Sequence, residues 1–394
     1  MMEIVLNIYQ SAALGAIILC FGLFLVKKSE TLRKFCIPAA VAGGLVFAVI
    51  NCALHYSDIA EFEFDETLKN VFMMAFFCSI GFMASFRMLK SGGKLVLTLL
   101  MLALVLLIIQ DVVGAYFASM FGYDSKLGLC LGSISLVGGH GTAASYGATL
   151  AEDFGLTNAP TIATAAATFG LAVSGFIGGP LAKMRVKKHS LQPDEEDLIF
   201  AEEEEKKEYI DNGRFLIGMV LIAVCVGLGT YICDAFKSIN ITVPVYFGAM
   251  IIAMIVRNVA DIKKIDLPIR EMSTLGGVCL AVFLAMALMT MKLWQIADLA
   301  SMMIITILVQ VAIVALFAYF VVFRIMGRNY DAAAFLTATC GFGLGATPNA
   351  MANMEALVKE HGPAPTAFFV VPLVGSVFID FLNTGVLTIF LNIL

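Results

Sequence analysis

The sequence predicts an all-α integral membrane protein: two inverted repeats of five transmembrane helices, each with one re-entrant hairpin. Three observations carry this. Of 394 residues, 60% are hydrophobic and only 14% are charged, with a mean hydropathy of +0.93. Ten apolar runs have the length of a membrane crossing. The two halves of the chain match each other at a nearly constant offset.

A water-soluble domain carries about 25% charged residues because its surface needs them. This chain cannot cover a water-facing surface of ordinary size, so lipid must be its solvent. Collagen-like, disordered, disulfide-scaffold and nucleic-acid-binding classes are excluded at the same step. The formal charge of −5 adds little, since charge in such a protein sits in loops. The nine cysteines are odd in number, and most lie in apolar runs (Cys20, Cys52, Cys78, Cys225, Cys279). They read as small buried hydrophobes, and none shows metal-ligand spacing. Glu3 precedes the first apolar run, with no Lys or Arg before it. The run reaches Val26 and ends in Lys27-Lys28, the pattern of a spanning helix and not of a cleaved signal.

About 20 residues cross the ~30 Å hydrocarbon layer. Runs of that kind fall near 4–26, 36–54, 68–86, 95–120 and 159–182, then near 215–233, 241–256, 272–290, 298–323 and 364–391. Basic residues set the orientation. With the N-terminus outside, the inner loops hold 21 of the 25 Lys and Arg; only Lys69, Lys126, Lys237 and Lys292 stay outside. Both termini are therefore expected outside. Segment 185–212, with the acidic run Glu202-Glu203-Glu204-Glu205, reads as a solvated cytoplasmic linker.

Pro38 pairs with Pro244 and Phe77 with Phe283 at an offset of 206. Tyr123-Asp124 pairs with Tyr330-Asp331 at 207, and Ala159-Pro160-Thr161 with Ala364-Pro365-Thr366 at 205. A steady offset along both halves argues for duplication. The repeats are expected at 1–184 and 213–394, joined by the linker. Five crossings per copy turn the second copy upside down, an architecture of secondary transporters with a site near the midplane.

Two segments, 126–152 and 332–358, do not fit the span count. Each is apolar and broken by glycines: Gly138-Gly139-His140-Gly141-Thr142, and Gly341-Phe342-Gly343-Leu344-Gly345-Ala346-Thr347-Pro348-Asn349. The arms of the first reach roughly 17 Å each, half a membrane, so each segment is expected to enter and leave on one side. A chain reversing there needs glycine, and its backbone groups must line a cavity or bind something. Thr347 reads as an N-cap followed by proline at the first helical position, and Thr142 as the equivalent cap. Two helix N-termini would then face the midplane from opposite sides, suiting a small solute with carboxylates. Close helix packing is the plainer reading of the glycines. It leaves unexplained why both tracts fall at equivalent places.

Ionisable residues inside spans are functional candidates by default. Asp380 and Asn383 sit at i and i+3 on one face, a carboxylate and an amide suited to Na⁺ or H⁺. Asp111, beside Gln110, reads as facing a scaffold interface. His140 lies at the first hairpin tip. Thr168, Gly170 and Ser174 make span five small and polar, as in a cavity-lining helix. Trp294 reads as an interface anchor, and Arg257 with Asn258 as a cytoplasmic one.

The strings Gly138–Thr142 and Cys340–Pro348 resemble those of the bacterial sodium/glutamate symporters. So do Leu284–Met289 followed by Lys292-Leu293-Trp294, Asn329–Ala333, and Val370-Val371-Pro372. The resemblance covers nearly the whole chain outside 185–212. It implies Na⁺-coupled uptake of glutamate across the bacterial inner membrane, and a homodimer with an elevator-type motion. It also implies a substrate site at the hairpin tips: Gly138, Gly139, His140, Gly141, Thr142, Gly343, Gly345, Ala346, Thr347, Pro348 and Asn349. Asp380 and Asn383 are the Na⁺ candidates. Asp111 looks less typical of the family than Gln110. No cofactor and no enzymatic activity are expected. A carrier of the same architecture for another carboxylate, a dicarboxylate or hydroxy-acid, is the nearest alternative. A passive channel and an intramembrane enzyme using His140 are the remoter ones.

Overall fold

A computed structural model describes residues 2–30, 32, 38–87, 93–193, 211–239, 241–294 and 299–394. The run Glu202-Glu203-Glu204-Glu205 lies outside the described residues. Strand β1 (Met2–Leu6) leads into α1 (Ile8–Lys28), followed by α2 (Ala39–Tyr56), strand β2 (Ala60–Phe64), α3 (Thr67–Met83) and α4 (Gly93–Met120). Two short helices, α5 (Ser125–Leu129) and α6 (Ser133–Leu136), precede α7 (Gly139–Phe154) and α8 (Ala159–His189). The second half holds α9 (Asn212–Ser238), α10 (Phe247–Lys263), α11 (Ile269–Met289) and α12 (Ala300–Leu316). A π-helical stretch, Phe317–Val322, carries α12 into α13 (Phe323–Ile325). Then come α14 (Tyr330–Leu344), α15 (Thr347–His361) and α16 (Pro365–Leu373), and a second π-helical stretch (Val374–Phe378) leads into α17 (Ile379–Ile393).

Every expected span holds a helix. Seven helices among the described residues are long and apolar enough to cross a membrane. Along α4, Leu97, Met101, Val105, Ile108, Val112 and Tyr116 are exposed, at steps of three and four that form one stripe. In water such a stripe would be ruinous; against acyl chains it is the expected surface.

Four local expectations are corrected. The seventh run begins as helix only at Phe247, and 241–246 stay non-helical, as expected where Pro244 disfavours helix for the residue before it. The first arm of the first glycine-broken segment is two helices, since Gly132 sits at φ −105°, ψ −136°, outside helical space. The caps Thr142 and Thr347 are each displaced, as described below. The chain is also not purely helical: β1 and β2 pair in parallel, Met2 opposite Ala60 through Leu6 opposite Phe64.

Local sequence explains several ends. Asn7 accepts from the Tyr9 and Gln10 amides while the Gln10 side chain accepts from the Asn7 amide, a reciprocal cap. Lys27 and Lys28 then sit at the negative end of α1.

The chain divides into two compact units. The first comprises Met1–Ser85, His140–Ala165 and Ile210–Ser301; the second comprises Phe86–Gly139, Ala166–Tyr209 and Met302–Leu394. Neither follows a sequence half, and each draws segments from both. In the first unit α3 packs on α10 and α11, and α1 on α2. Its core includes Cys78, Phe82, Ile222, Cys225, Ala249 and Met272, with Phe77 stacked on Tyr246 at 3.6 Å. In the second, α14 packs on α15, and α17 lies against α4.

β2 is tied to the residues after α11. Lys292 Nζ donates to Glu61 Oε1 at 2.9 Å, and His55, 3.6 Å from Glu61, stacks on Trp294 at 3.9 Å. The Lys292 ammonium holds the Glu61 carboxyl below the usual carboxylate range. A depressed carboxylate stabilises above its unfolded pKa, and the gain is lost as pH falls through the folded value. Both partners are partly exposed, so the pair contributes at most about 1 kcal/mol. Lys292→Ala should therefore flatten the loss of thermal stability on acidification while barely lowering the melting temperature at neutral pH, as thermal unfolding across the acidic range would register.

Candidate functional site

The second glycine-broken segment is a pair of helices in the second unit. α14 and α15 have 15 residues each, roughly 22 Å, too short to span the ~30 Å layer alone. Every residue of α14 except Asp331 is buried. The two arms touch through backbone: a Cβ on Gly341 would lie 2.3 Å from Ala350 Cα.

The break itself is Gly345-Ala346. The N-cap of α15 is Ala346, at φ −167°, ψ 168°, and no side chain caps it. Thr347 is thus inside the first turn, one position later than expected, with Pro348 after it. The end of α14 is held from outside. Gly341 O accepts from the Ala346 amide at 3.2 Å. Gly343 O accepts from Gln110 Nε2 at 2.8 Å, satisfying one of the carbonyls a helix end leaves open. Gln310 Nε2 in turn donates to Gln110 O at 2.7 Å. Sequence reasoning gave neither glutamine a role; an amide in the middle of an apolar helix was the available signal.

Asn349 locks the break to α8. Its Nδ2 donates to Leu171 O and Ser174 Oγ, both at 2.9 Å, while Asn353 Nδ2 donates to Ser174 O at 3.2 Å. Asn349 Oδ1 is buried and has no partner among the described residues. The small polar face expected on span five is therefore where the second segment docks.

Gly139 opens α7 with φ +60°, a left-handed turn that glycine adopts without cost. A Cβ there would lie 3.1 Å from Gly345 O and 3.9 Å from Ala346 Cβ, so the two glycine breaks are neighbours at this point of the second unit. His140, Gly141 and Thr142 belong to the first unit. They form the first turn of α7, so Thr142 is inside the helix and does not cap it. His140 and Thr142 are buried, Gly141 lies against Phe76 and Phe77, and Thr142 O accepts from Ser145 Oγ at 3.1 Å.

Asp380 and Asn383 share helix α17. Asp380 is half-buried, and no described residue pairs with its carboxylate. Asn383 is buried and reaches the first segment: its Nδ2 donates to Ser133 O at 3.2 Å, and its Oδ1 lies 2.6 Å from Ser133 Oγ. Asp111 completes the cluster. Its Oδ1 accepts from the Ser133 amide at 2.8 Å, and its Oδ2 lies 2.9 Å from Ser133 Oγ. Two consecutive residues of α4, Gln110 and Asp111, thus hold the first arms of both glycine-broken segments.

The first unit has a cavity of about 810 Å³ whose lining includes Glu61, Glu66, Lys69, Glu152 and Lys292. Lys69 pairs with Glu66 at 2.6 Å. None of the glycine-tract residues lines it.

A sequence profile of the family described as "Sodium/glutamate symporter" matches residues 4–363. The chain is 37% identical over 395 residues to a sodium/glutamate symporter of Haemophilus influenzae, covering 98% of each. It is 40% identical over 384 residues to one of Escherichia coli, covering 95% of this chain and 94% of that one. A solved sodium–proton antiporter of Methanocaldococcus jannaschii matches at 13% identity and a TM-score of 0.40, over 98% of this chain and 97% of that one.

Proposed function

The chain belongs to the sodium/glutamate symporter family, and on that premise we propose that its two glycine breaks form the substrate site of an elevator-type carrier. The protein is a multi-pass membrane transporter, and its function is Na⁺-coupled symport of glutamate. The substrate carboxylates are held by first-turn N–H groups and dipole ends of α7 and α15. Thr142, Thr347 and Asn349 add hydrogen bonds. Na⁺ is taken by oxygen ligands, with Asp380 and Asn383 as candidates. Binding both solutes shifts the equilibrium toward the state that moves.

The adjacency of Gly139 to Gly345 and Ala346 carries this reading of the site. Two arms too short to cross support two re-entrant hairpins. The distribution of 21 of 25 basic residues supports termini outside, in a bacterial inner membrane, and we propose a homodimer.

Uptake of labelled glutamate into proteoliposomes tests the reading. An inward Na⁺ gradient should raise the initial rate at least roughly tenfold over matched K⁺, the response to a coupling free energy of about 1.4 kcal/mol or more. Counterflow against dicarboxylates and hydroxy-acids should favour glutamate. A faster exchange of one of those would reassign the substrate.

A further inference from the structure

With Asp111 ionised, the hydrogen inventory around Ser133 does not close. Asp111, Ser133 and Asn383 are all buried, at 0%, 0% and 1% exposure. The Ser133 hydroxyl has one hydrogen. Its Oγ nevertheless lies 2.9 Å from Asp111 Oδ2 and 2.6 Å from Asn383 Oδ1, and an ionised carboxylate and an amide oxygen both only accept. Flipping the Asn383 amide does not help, because its oxygen would then face the Ser133 carbonyl that its Nδ2 now serves at 3.2 Å. Three oxygens from three elements, α4, α6 and α17, therefore converge one positive centre short, which either a proton on Asp111 or a bound cation supplies. Buried polar atoms left in that state are costly.

We propose that Asp111, Ser133 and Asn383 form a Na⁺ site, with Asp111 supplying its charge. One carboxylate balances one monovalent cation, and all the donors are hard oxygens. Ca²⁺, an ion of nearly the same radius, takes oxygens at roughly 2.3–2.6 Å, so Na⁺ enters as the three oxygens part slightly and bridges them. The approach is built into the chain. A Cβ on Gly132 would lie 2.7 Å from Asp111 Oδ1, so only glycine lets the carboxylate reach the Ser133 amide. The site joins the first arm of the first hairpin to the last helix, so ion occupancy fixes the element that leads to Gly139. This inference rests on the reading of Asn383 as a Na⁺ ligand and replaces the lone Asp380 carboxylate with Asp111 as its charged partner.

The test uses the full-length protein, measured as melting temperature in NaCl against KCl and as the Na⁺ dependence of glutamate uptake in proteoliposomes. Asp111→Asn supplies the missing hydrogen without charge. It should therefore melt at or above the wild-type temperature in KCl, lose the Na⁺-induced rise, and need at least roughly tenfold more Na⁺ for half-maximal uptake. Ser133→Ala keeps the carboxylate and should weaken Na⁺ dependence in the same direction, by less. An unchanged Na⁺ response in Asp111→Asn overturns the proposal; should that variant not fold, an unchanged response in Ser133→Ala overturns it. Asp380→Asn separates the levels. If it alone abolishes the Na⁺ response, the hairpin reading stands and this site is rejected. If uptake by the wild type ignores Na⁺, the underlying reading fails with it.

Discussion

Gly341→Val should abolish glutamate uptake. At position 341 the obstruction is backbone: an added Cβ meets Ala350 Cα at 2.3 Å and the Ala350 nitrogen at 2.4 Å. No rotamer change relieves that contact, so α14 and α15 must separate. Overpacking a core typically costs about 1–3 kcal/mol, and a backbone obstruction belongs at the upper end. The separation would also carry Gly345 away from Gly139, which turns a packing change into loss of the proposed site. Uptake should fall to the level of empty liposomes, with a melting temperature lowered by several degrees. Gly227→Val, where an added Cβ meets nothing within 4 Å, should leave both unchanged. Normal transport by Gly341→Val would mean that the arms need not touch.

Asn349→Leu should reduce uptake by at least roughly tenfold while leaving most of the protein folded. The substitution keeps the branched shape but removes two donated hydrogen bonds: Ser174 Oγ loses its donor, and Leu171 O keeps only the Ser174 hydroxyl, at 2.8 Å. Each buried group left unsatisfied costs about 1–3 kcal/mol. Ser174→Ala removes one of those acceptors and should show a smaller loss. The ratio of the two effects, read from uptake at saturating Na⁺, distinguishes a lock on the hairpin from a general weakening. Equal effects would place the energy in the Ser174 hydroxyl alone.

What the sequence could reveal was local. Ten helices announce themselves because apolar length is written residue by residue, and the breaks at Gly138–Thr142 and Gly341–Asn349 because glycine is. Asp380 and Asn383 fall at i and i+3 of one helix, since spacing along a helix determines that. Their partners were beyond reach. Asn383 meets Ser133 across 250 positions, and Gln110 meets Gly343 across 233; no period encodes which helix lies next to which. Asp111 looked like a scaffold residue for the same reason. The small sheet was legible and missed: Ala60-Glu61-Phe62-Glu63-Phe64 alternates with period two, but a run of five residues between long apolar segments is easily read as loop. The caps at Thr142 and Thr347 came out displaced because a threonine's preference for capping yields to the turn that glycine starts first.

The wide turn at Phe317–Val322 bears on the proposed duplication. Matched residues lie 206 apart at Phe77 and Phe283 and 207 apart at Tyr123 and Tyr330, so on that proposal the later copy would carry one residue more across this stretch. A helix anchored at both ends can absorb an insertion by widening, and a single π turn takes up one residue without moving either flank. The bulge is one place where such a residue would be accommodated.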